Sequence, residues 1–254
     1  MNDPAGVTIL YEDNHLLVVN KPAGLPSQPD ESGAASLVDW ARESIRLRHE
    51  KPGNVYVGLV HRLDQPVSGV VVLARTSKAA ARLSEQFRKG TVVKTYWAIV
   101  EGFLEPDAGV WRDRLTKDRA RNFVRVVDQT ADEDDEDSRE AELTYRVLGR
   151  GSNTCLLELV PRTGRGHQLR VQLASRGLPI IGDLKYGAKS RLIALDGGHR
   201  IALHARSVRF KHPTKEEVIE CSAEVPADWP ARTTWRARTT NPSKTPKGRP
   251  EPSG

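Results

Sequence analysis

Residues 55–74 read VYVGLVHRLDQPVSGVVVLA, two apolar runs separated by a short charged segment. The runs at 55–60 and 69–74 are rich in β-branched residues and predict two strands. The loop between them then carries Arg62 and Asp64. Charge at the end of a buried strand is costly unless it is paired. These two residues therefore either form a structural ion pair at the edge of a sheet or belong to a functional site, and this segment alone leaves both interpretations open.

Strands and a few helices are predicted on both sides of this segment. The first two strands form an opening hairpin. The order of elements favours an α+β domain built on a large, mostly antiparallel or mixed sheet. Strands are predicted at 7–10, 16–19, 92–100, 123–127, 141–148, 156–160, 201–203, 207–210 and 218–223, and helices at 36–50 (N-cap Ser36), 77–89 (N-cap Ser77) and 167–176.

A second polar cluster, TGRGHQLR at residues 163–170, lies at the start of the last predicted helix. Its glycines permit close backbone approach, and its donors suit a phosphate or a carboxylate. The alternative is a tight turn followed by a helix with a basic solvent-facing side. The chain lacks a GxxxxGK[ST] pattern and has no GxGxxG after a strand, which disfavours nucleotide cofactors.

The charge is unevenly distributed along the 254 residues. The net charge is +6, yet residues 231–254 alone hold six Lys and Arg against one Glu, and residues 132–137 are all acidic. We predict a single domain of the size of an enzyme domain at 1–230, an exposed acidic connection within it, and a disordered basic tail at 231–254. A basic balance suggests a polyanionic partner, although a solvated surface explains it equally well.

The two cysteines, Cys155 and Cys221, are far apart and are not spaced for a disulfide framework or for zinc. We predict two buried, reduced thiols and no metal site. No stretch approaches the roughly 18 apolar residues of a membrane helix, and the N-terminus lacks the pattern of a signal peptide. A cytoplasmic location without membrane contact is therefore expected.

Six motifs occur in the order typical of one enzyme family. HRLDQPVSG at 61–69 resembles the HRLDxxTSG motif of the RluA family of RNA pseudouridine synthases. The chain is identified as a member by the motifs together, which span about 7–226. The other five are VVNKPAGLP at 18–26, a K-x-Y at Lys94 and Tyr96, TGRGHQLR at 163–170, GDLKYG at 182–187, and LHA at 203–205 followed by Phe210 and His212-Pro213.

Two positions depart from the family pattern. Val67 stands where Thr is usual, and Gly166 stands where Ser or Thr is usual. The first puts a hydroxyl hydrogen bond near the catalytic loop in doubt, and the second could slacken the loop that carries Arg165. Neither change removes a group that the chemistry requires.

The resemblance implies the pseudouridine synthase fold, with a large mixed, mostly antiparallel sheet, flanking helices and a central cleft. It assigns Asp64 as the nucleophile, acting either by covalent attack or by removing the 2′ proton to give a glycal. Arg165 is expected to pair with that carboxylate, and Tyr96 to lie against the uracil. A structural ion pair and a core aromatic are the alternatives for these two residues.

The resemblance also implies how RNA is bound. A target base inside a stack must be flipped into the pocket. Arg62 is expected to fill the vacated place and Leu203 to pack against the flipped base. The three motif histidines, His61, His167 and His204, are expected to pack or hydrogen-bond rather than to act as bases.

The partner implied is transfer RNA, ribosomal RNA or both, acted on by a monomer with no cofactor and no metal. Two other functions remain open: a non-catalytic RNA-binding protein, which the presence of Asp64, Tyr96 and Arg165 disfavours, and a hydrolase that releases free uracil. The reaction product distinguishes the second from an isomerase.

Overall fold

The computed structural model describes residues 6–29, 33–50, 52–118, 120–127, 138–189, 191–193 and 198–230. The predicted acidic connection at 132–137 and the predicted tail at 231–254 lie outside the described residues. No helix in the described ranges is both long enough and apolar enough to cross a membrane.

The elements follow one another with strands in the majority. The helices are α1 (Leu37–Arg48), α2 (Ser77–Arg88) and α3 (Gln168–Ala174), with a 3-10 turn at Leu184–Tyr186. The strands are β1 (Thr8–Glu12), β2 (Leu16–Lys21), β3 (Gly58–Leu59), β4 (Ser68–Ala74), β5 (Val93–Glu101), β6 (Ala108–Asp118), β7 (Phe123–Val127), β8 (Arg139–Arg150), β9 (Thr154–Pro161), β10 (Leu192–Ile193), β11 (His199–Arg200), β12 (Leu203–Lys211) and β13 (Val218–Ser222).

Within the described ranges, eleven strands form one sheet in the order β1-β2-β4-β12-β5-β9-β8-β6-β7, with β3 also on β4 and β13 also on β12. The pair β4–β12 is parallel, and the other pairs in this sheet are antiparallel. The predicted α+β fold with a mixed, mostly antiparallel sheet is therefore confirmed.

The apolar run of β4 is buried on both faces of the sheet. Val71 and Leu73 belong to the larger core cluster, which α1 covers, whereas Val70 and Val72 belong to a second cluster, which α2 covers. A strand covered on both faces reads as a continuous apolar run rather than an alternating one. This explains why the sequence predicts β4 so clearly.

The register of the central strands determines where polar residues can meet. Gly69 at the start of β4 pairs with Ala205 of β12, and Ala205 pairs in turn with Tyr96 of β5. The loop that enters β4, the beginning of β12 and the middle of β5 are therefore neighbours. The site described below is built at this junction.

The observed elements differ from the predicted ones in several places, and the short strands β10 and β11 were not predicted. Strand β6 was not predicted, the first strand of the opening segment shortens to β3, and β12 is continuous where two strands were expected. The N-cap of α2 is Thr76 rather than Ser77, because the Thr76 hydroxyl accepts the Ala79 N–H at 3.2 Å. The predicted cap at Ser36 is correct, and both cysteines are buried and free as predicted.

Candidate active site

A cavity of about 490 Å³ opens at the junction of β4, β5 and β12. Of the described residues that line it, Asp64 alone carries a carboxylate. Six cationic side chains share the lining: Arg62, Arg88, Lys94, Arg162, Arg165 and Arg170. A cleft with this charge distribution attracts anionic groups.

Asp64 lies in the loop before β4, in a tight turn. The turn is closed by the Val67 N–H, which donates to the Asp64 carbonyl at 3.0 Å. The Asp64 carboxylate accepts a hydrogen bond through Oδ2 from Arg170 Nη1 at 2.9 Å. Within the described residues, Oδ1 accepts no hydrogen bond. One oxygen of the carboxylate is therefore held, and the other is available to a substrate.

The Arg170 guanidinium is fixed by a second carboxylate. Its Nε and Nη2 donate to the two oxygens of Asp183 at 2.7 and 2.8 Å, and its charge lies 5.0 Å from the centre of the Tyr186 ring. Burial lowers the pKa of Arg170, but the hydrogen bonds and charges of Asp183 and Asp64 outweigh it and raise the pKa overall. Arg170 is therefore a permanent, oriented cation.

The predicted pairing of Asp64 with Arg165 is wrong in its arginine. Arg165 is exposed on the rim of the cavity, and its Nε donates to the Glu140 carbonyl at 3.0 Å. Between the two arginines the backbone of His167 takes a left-handed conformation, φ 54°. Arg170, on the first turn of α3, reaches Asp64, whereas Arg165 stays on the rim of the same cavity.

His167, which the sequence analysis treated as a packing residue, lies beside the carboxylate, and Tyr186, which it did not consider, contacts His167. His167 Nε2 is 3.7 Å from Asp64 Oδ2, and His167 Nδ1 is 2.8 Å from the Tyr186 hydroxyl. Burial lowers the pKa of His167, against the opposing charge of Asp64. Their membership of two of the quoted motifs was the signal that could have drawn attention to them.

Tyr96 and Lys94 lie side by side on the cavity wall supplied by β5. Burial, together with the nearby charge of Asp64, raises the pKa of Tyr96 far above its usual value, so its hydroxyl is neutral at neutral pH. Lys94 Nζ donates to the Thr163 carbonyl at 3.4 Å, and burial lowers its pKa. The two side chains join an aromatic surface to a cation.

Lys21 fixes the loop that carries Asp64 from below. Its fully buried Nζ donates to the carbonyls of Pro22, Leu25 and Gln65 at 2.9, 2.8 and 3.3 Å. Burial lowers the pKa of Lys21 to about 7. The lysine thus ties the end of β2 to the residue that follows Asp64.

Comparison with known proteins identifies this arrangement. Residues 15–175 match the family described as RNA pseudouridylate synthase. The chain belongs to this family.

Individual relatives agree with the family match. A ribosomal large subunit pseudouridine synthase D of Xanthomonas campestris is 38% identical, over 87% of this chain and 67% of the relative. A tRNA pseudouridine synthase C of Vibrio parahaemolyticus is 32% identical, over 89% of this chain and 93% of the relative. The solved structure of human RNA pseudouridylate synthase domain containing 4 matches with a TM-score of 0.72 at 28% identity, over 87% of this chain and 89% of that one.

The predicted family, fold and enzyme class are confirmed by these matches. The chain spans between 64% and 69% of the length of the Xanthomonas relative and four others. The fold that this chain shares with its family includes the large sheet.

The remaining predicted residues lie where a pseudouridine synthase could use them. Arg62 is exposed at the mouth of the cavity, and Leu203 is buried in its wall. His61 stacks on Phe87, and its Nε2 accepts the Val72 N–H at 2.8 Å. No cluster of three metal-ligating side chains occurs in the portion of the chain that the structure describes.

The two departures from the family motifs are accommodated without strain. Val67 is buried on the cavity wall, where its backbone N–H closes the Asp64 turn whatever the side chain. A Cβ at Gly166 would meet no atom within 4 Å. Gly166 is therefore not required by space at this position.

Proposed function

We propose that this synthase converts uridine to pseudouridine in ribosomal or transfer RNA, with Asp64 as its nucleophile. The observation that supports it is the single carboxylate, with one free oxygen, on the wall of a cavity that is otherwise cationic and carries the Tyr96 ring. The reaction breaks the N1–C1′ bond, turns the uracil and joins C5 to C1′. A proton leaves C5 and another is gained at N1, so there is no net oxidation or reduction.

Asp64 acts through Oδ1 in this proposal, because Oδ2 is occupied by Arg170. Oδ1 either attacks the substrate and forms a covalent intermediate or removes the 2′ proton and leaves a glycal. Both routes require an oriented, ionised carboxylate. The paired geometry of Arg170 and Asp183 supplies the orientation.

Tyr96 supports the uracil through its ring. Its hydroxyl also lies in the cavity and is the candidate acceptor for the C5 proton. Because the raised pKa keeps the hydroxyl protonated, it can accept only while passing its own proton on. We therefore assign Tyr96 first to contact with the base and second to proton transfer.

RNA binding follows from the position of the remaining side chains. A flipped uridine would lie against Leu203, and the exposed Arg62 would take its place in the stack. Arg165, on the rim, would bind a phosphate rather than the nucleophile. The sequence also predicts a basic tail at 231–254, which would add non-specific affinity for RNA phosphates.

Pseudouridine mapping of total RNA tests the proposal. Cells that lack the gene should lose one or a few pseudouridines, and wild-type protein should restore them. Asp64→Asn should restore none, since shape is kept and only the ionised oxygen is lost. The matched control is Asp118→Asn, an exposed carboxylate outside the cavity, which should restore all.

Two outcomes would contradict the proposal. If cells that lack the gene kept all of their pseudouridines, the proposed isomerase function in those cells would be contradicted. Release of free uracil by the purified protein would instead indicate a hydrolase. Restoration by Asp64→Asn to even a tenth of the wild-type level would refute the nucleophile assignment alone.

A further inference from the structure

His167 has a backbone conformation that residues other than glycine rarely adopt. Its φ and ψ are 54° and 15°, and it lies directly before α3. A left-handed conformation is unfavourable for a residue with a Cβ, so the surrounding contacts must hold it. Those contacts are made by the ring, with Tyr186 on one nitrogen and Asp64 opposite the other.

The Tyr186 hydroxyl determines which ring nitrogen carries the proton. The hydroxyl accepts the buried Val124 N–H at 3.1 Å and lies 2.8 Å from His167 Nδ1. Its own proton therefore goes to Nδ1, which is the remaining partner among the described residues. In a neutral imidazole the ring proton must then be on Nε2, the nitrogen that faces Asp64.

The opposite tautomer is unfavourable at both ends. A proton on Nδ1 would leave the Tyr186 hydroxyl proton without an acceptor among the described residues. It would also turn the Nε2 lone pair toward the Asp64 carboxylate. A buried donor without an acceptor is unfavourable, so hydrogen bonding and electrostatics select the same tautomer.

Burial is the main cause that keeps this histidine neutral. Burial, Arg170 and Lys185 oppose the imidazolium, whereas Asp64 and Asp183 favour it, and the pKa of His167 is lowered overall. His167 can therefore present an N–H to Asp64 without taking the proton of the reaction.

We propose that His167, fixed in its Nε2–H tautomer by Tyr186, is a positioning residue that holds Asp64 Oδ2 so that Oδ1 faces the substrate. The inference rests on the proposed function of Asp64. Arg170 and His167 approach the same oxygen, the first at 2.9 Å and the second at 3.7 Å. The longer distance is beyond a hydrogen bond and shortens when substrate fills the cavity, as catalytic contacts commonly do.

Two substitutions separate this role from a purely structural one. Asn tolerates the left-handed conformation but reaches only as far as Nδ1, so His167→Asn loses the donor to Asp64. Gln places its amide nitrogen near the position of Nε2, so His167→Gln retains a donor. At saturating enzyme on total RNA from cells that lack the gene, His167→Asn should slow single-turnover pseudouridine formation about 10- to 100-fold.

The same measurements define the outcomes. His167→Gln should stay within about threefold of wild type, and RNA affinity in a filter-binding assay should be unchanged for both variants. Equal loss in the two variants, or a loss that follows RNA affinity or melting temperature, would overturn the proposal. If wild-type protein makes no pseudouridine, the proposed function fails instead; if Asp64→Asn is inactive while His167→Asn is fully active, only this inference fails.

A measurement on the unmodified protein does not depend on how the variants fold. Nitrogen-15 NMR of the histidine rings distinguishes the two neutral tautomers directly. We expect the His167 resonances to show a protonated Nε2 and an unprotonated Nδ1 at neutral pH. A proton on Nδ1, or on both nitrogens, would overturn the proposal.

Discussion

At the scale of single residues, Asp64 is held by a chain of ion pairs. Asp183 fixes two nitrogens of Arg170, and the third nitrogen fixes Asp64. A planar guanidinium can bridge two carboxylates in this way, whereas an ammonium is a point charge on a flexible stem. The orientation of Asp64 therefore depends on the shape of the cation as well as on its sign.

Arg170→Lys tests this dependence, with Arg165→Lys as its matched control in the same motif. The first variant should slow single-turnover pseudouridine formation by about 100-fold, because a small misplacement of a catalytic group has an effect of that order. The second should remain within about threefold while RNA affinity weakens modestly. If Arg165→Lys proves the more damaging of the two, the pairing seen in the structure is not the catalytic one.

The sequence singled out Asp64 as a candidate carboxylate but not its partner. Asp64 lies between two apolar runs and in a motif that resembles the catalytic motif of the family, so its candidacy needs no three-dimensional information. The choice between Arg165 and Arg170 depends on the backbone of His167, whose left-handed conformation no helix or turn propensity predicts for histidine. The φ angle of His167 cannot be predicted from composition or from the spacing of residues.

At the scale of elements, predictability followed burial. Strand β4 is buried throughout and was predicted within a residue, whereas β6 has exposed and half-buried residues over most of its length and was missed. Contacts outside β6 stabilise it, including an ion pair from Arg112 to Glu142 of β8 at 2.9 Å. Such tertiary contacts override a weak local pattern.

The parallel contact of β4 with β12 requires a glycine. Gly69 has φ 118°, and a Cβ there would lie 2.3 Å from the Ala205 carbonyl oxygen. Gly69→Ala should therefore lower the free energy of unfolding by roughly 3 kcal/mol or more, since backbone on both sides must move. Urea denaturation measures the change.

Gly166→Ala is the matched control for that substitution, because it lies in another family motif but in open space. It should leave the free energy of unfolding unchanged or raise it by about 0.4–1 kcal/mol, through the lower entropy of the unfolded chain. Equal effects of the two substitutions would show that the close approach of β4 and β12 does not limit residue 69.

At the scale of the whole molecule, a histidine packs against each face of the sheet. His61 stacks on Phe87 on the face covered by α2, and His204 lies against Trp229 on the other face. Burial lowers the pKa of His61 to about 3 and that of His204 to about 4. Both are therefore neutral in the folded protein at pH values where an unfolded chain would protonate them.

Because of this difference, the free energy of unfolding should decrease as the pH decreases. Below a pH of about 6.5, the usual pKa of histidine, the unfolded chain binds protons at His61 and His204 that the folded chain excludes, and His167, whose pKa burial also lowers, adds to this difference. Unfolding is therefore favoured increasingly as the pH falls. Each histidine contributes roughly 1.4 kcal/mol per pH unit once the pH is well below that value. Burial raises the pKa of the Asp13 carboxyl, but hydrogen bonds from His15 and His212 outweigh it and lower the pKa overall. Paired carboxylates of this kind lose their contribution to stability only in more acidic solution.

Urea unfolding at several pH values between 7 and 5 measures this slope, and His61→Gln provides the test of its origin. Gln can still accept the Val72 N–H but does not titrate, so the variant should show a smaller slope than wild type. A slope that is the same in wild type and His61→Gln would mean that the acid sensitivity arises from groups other than His61.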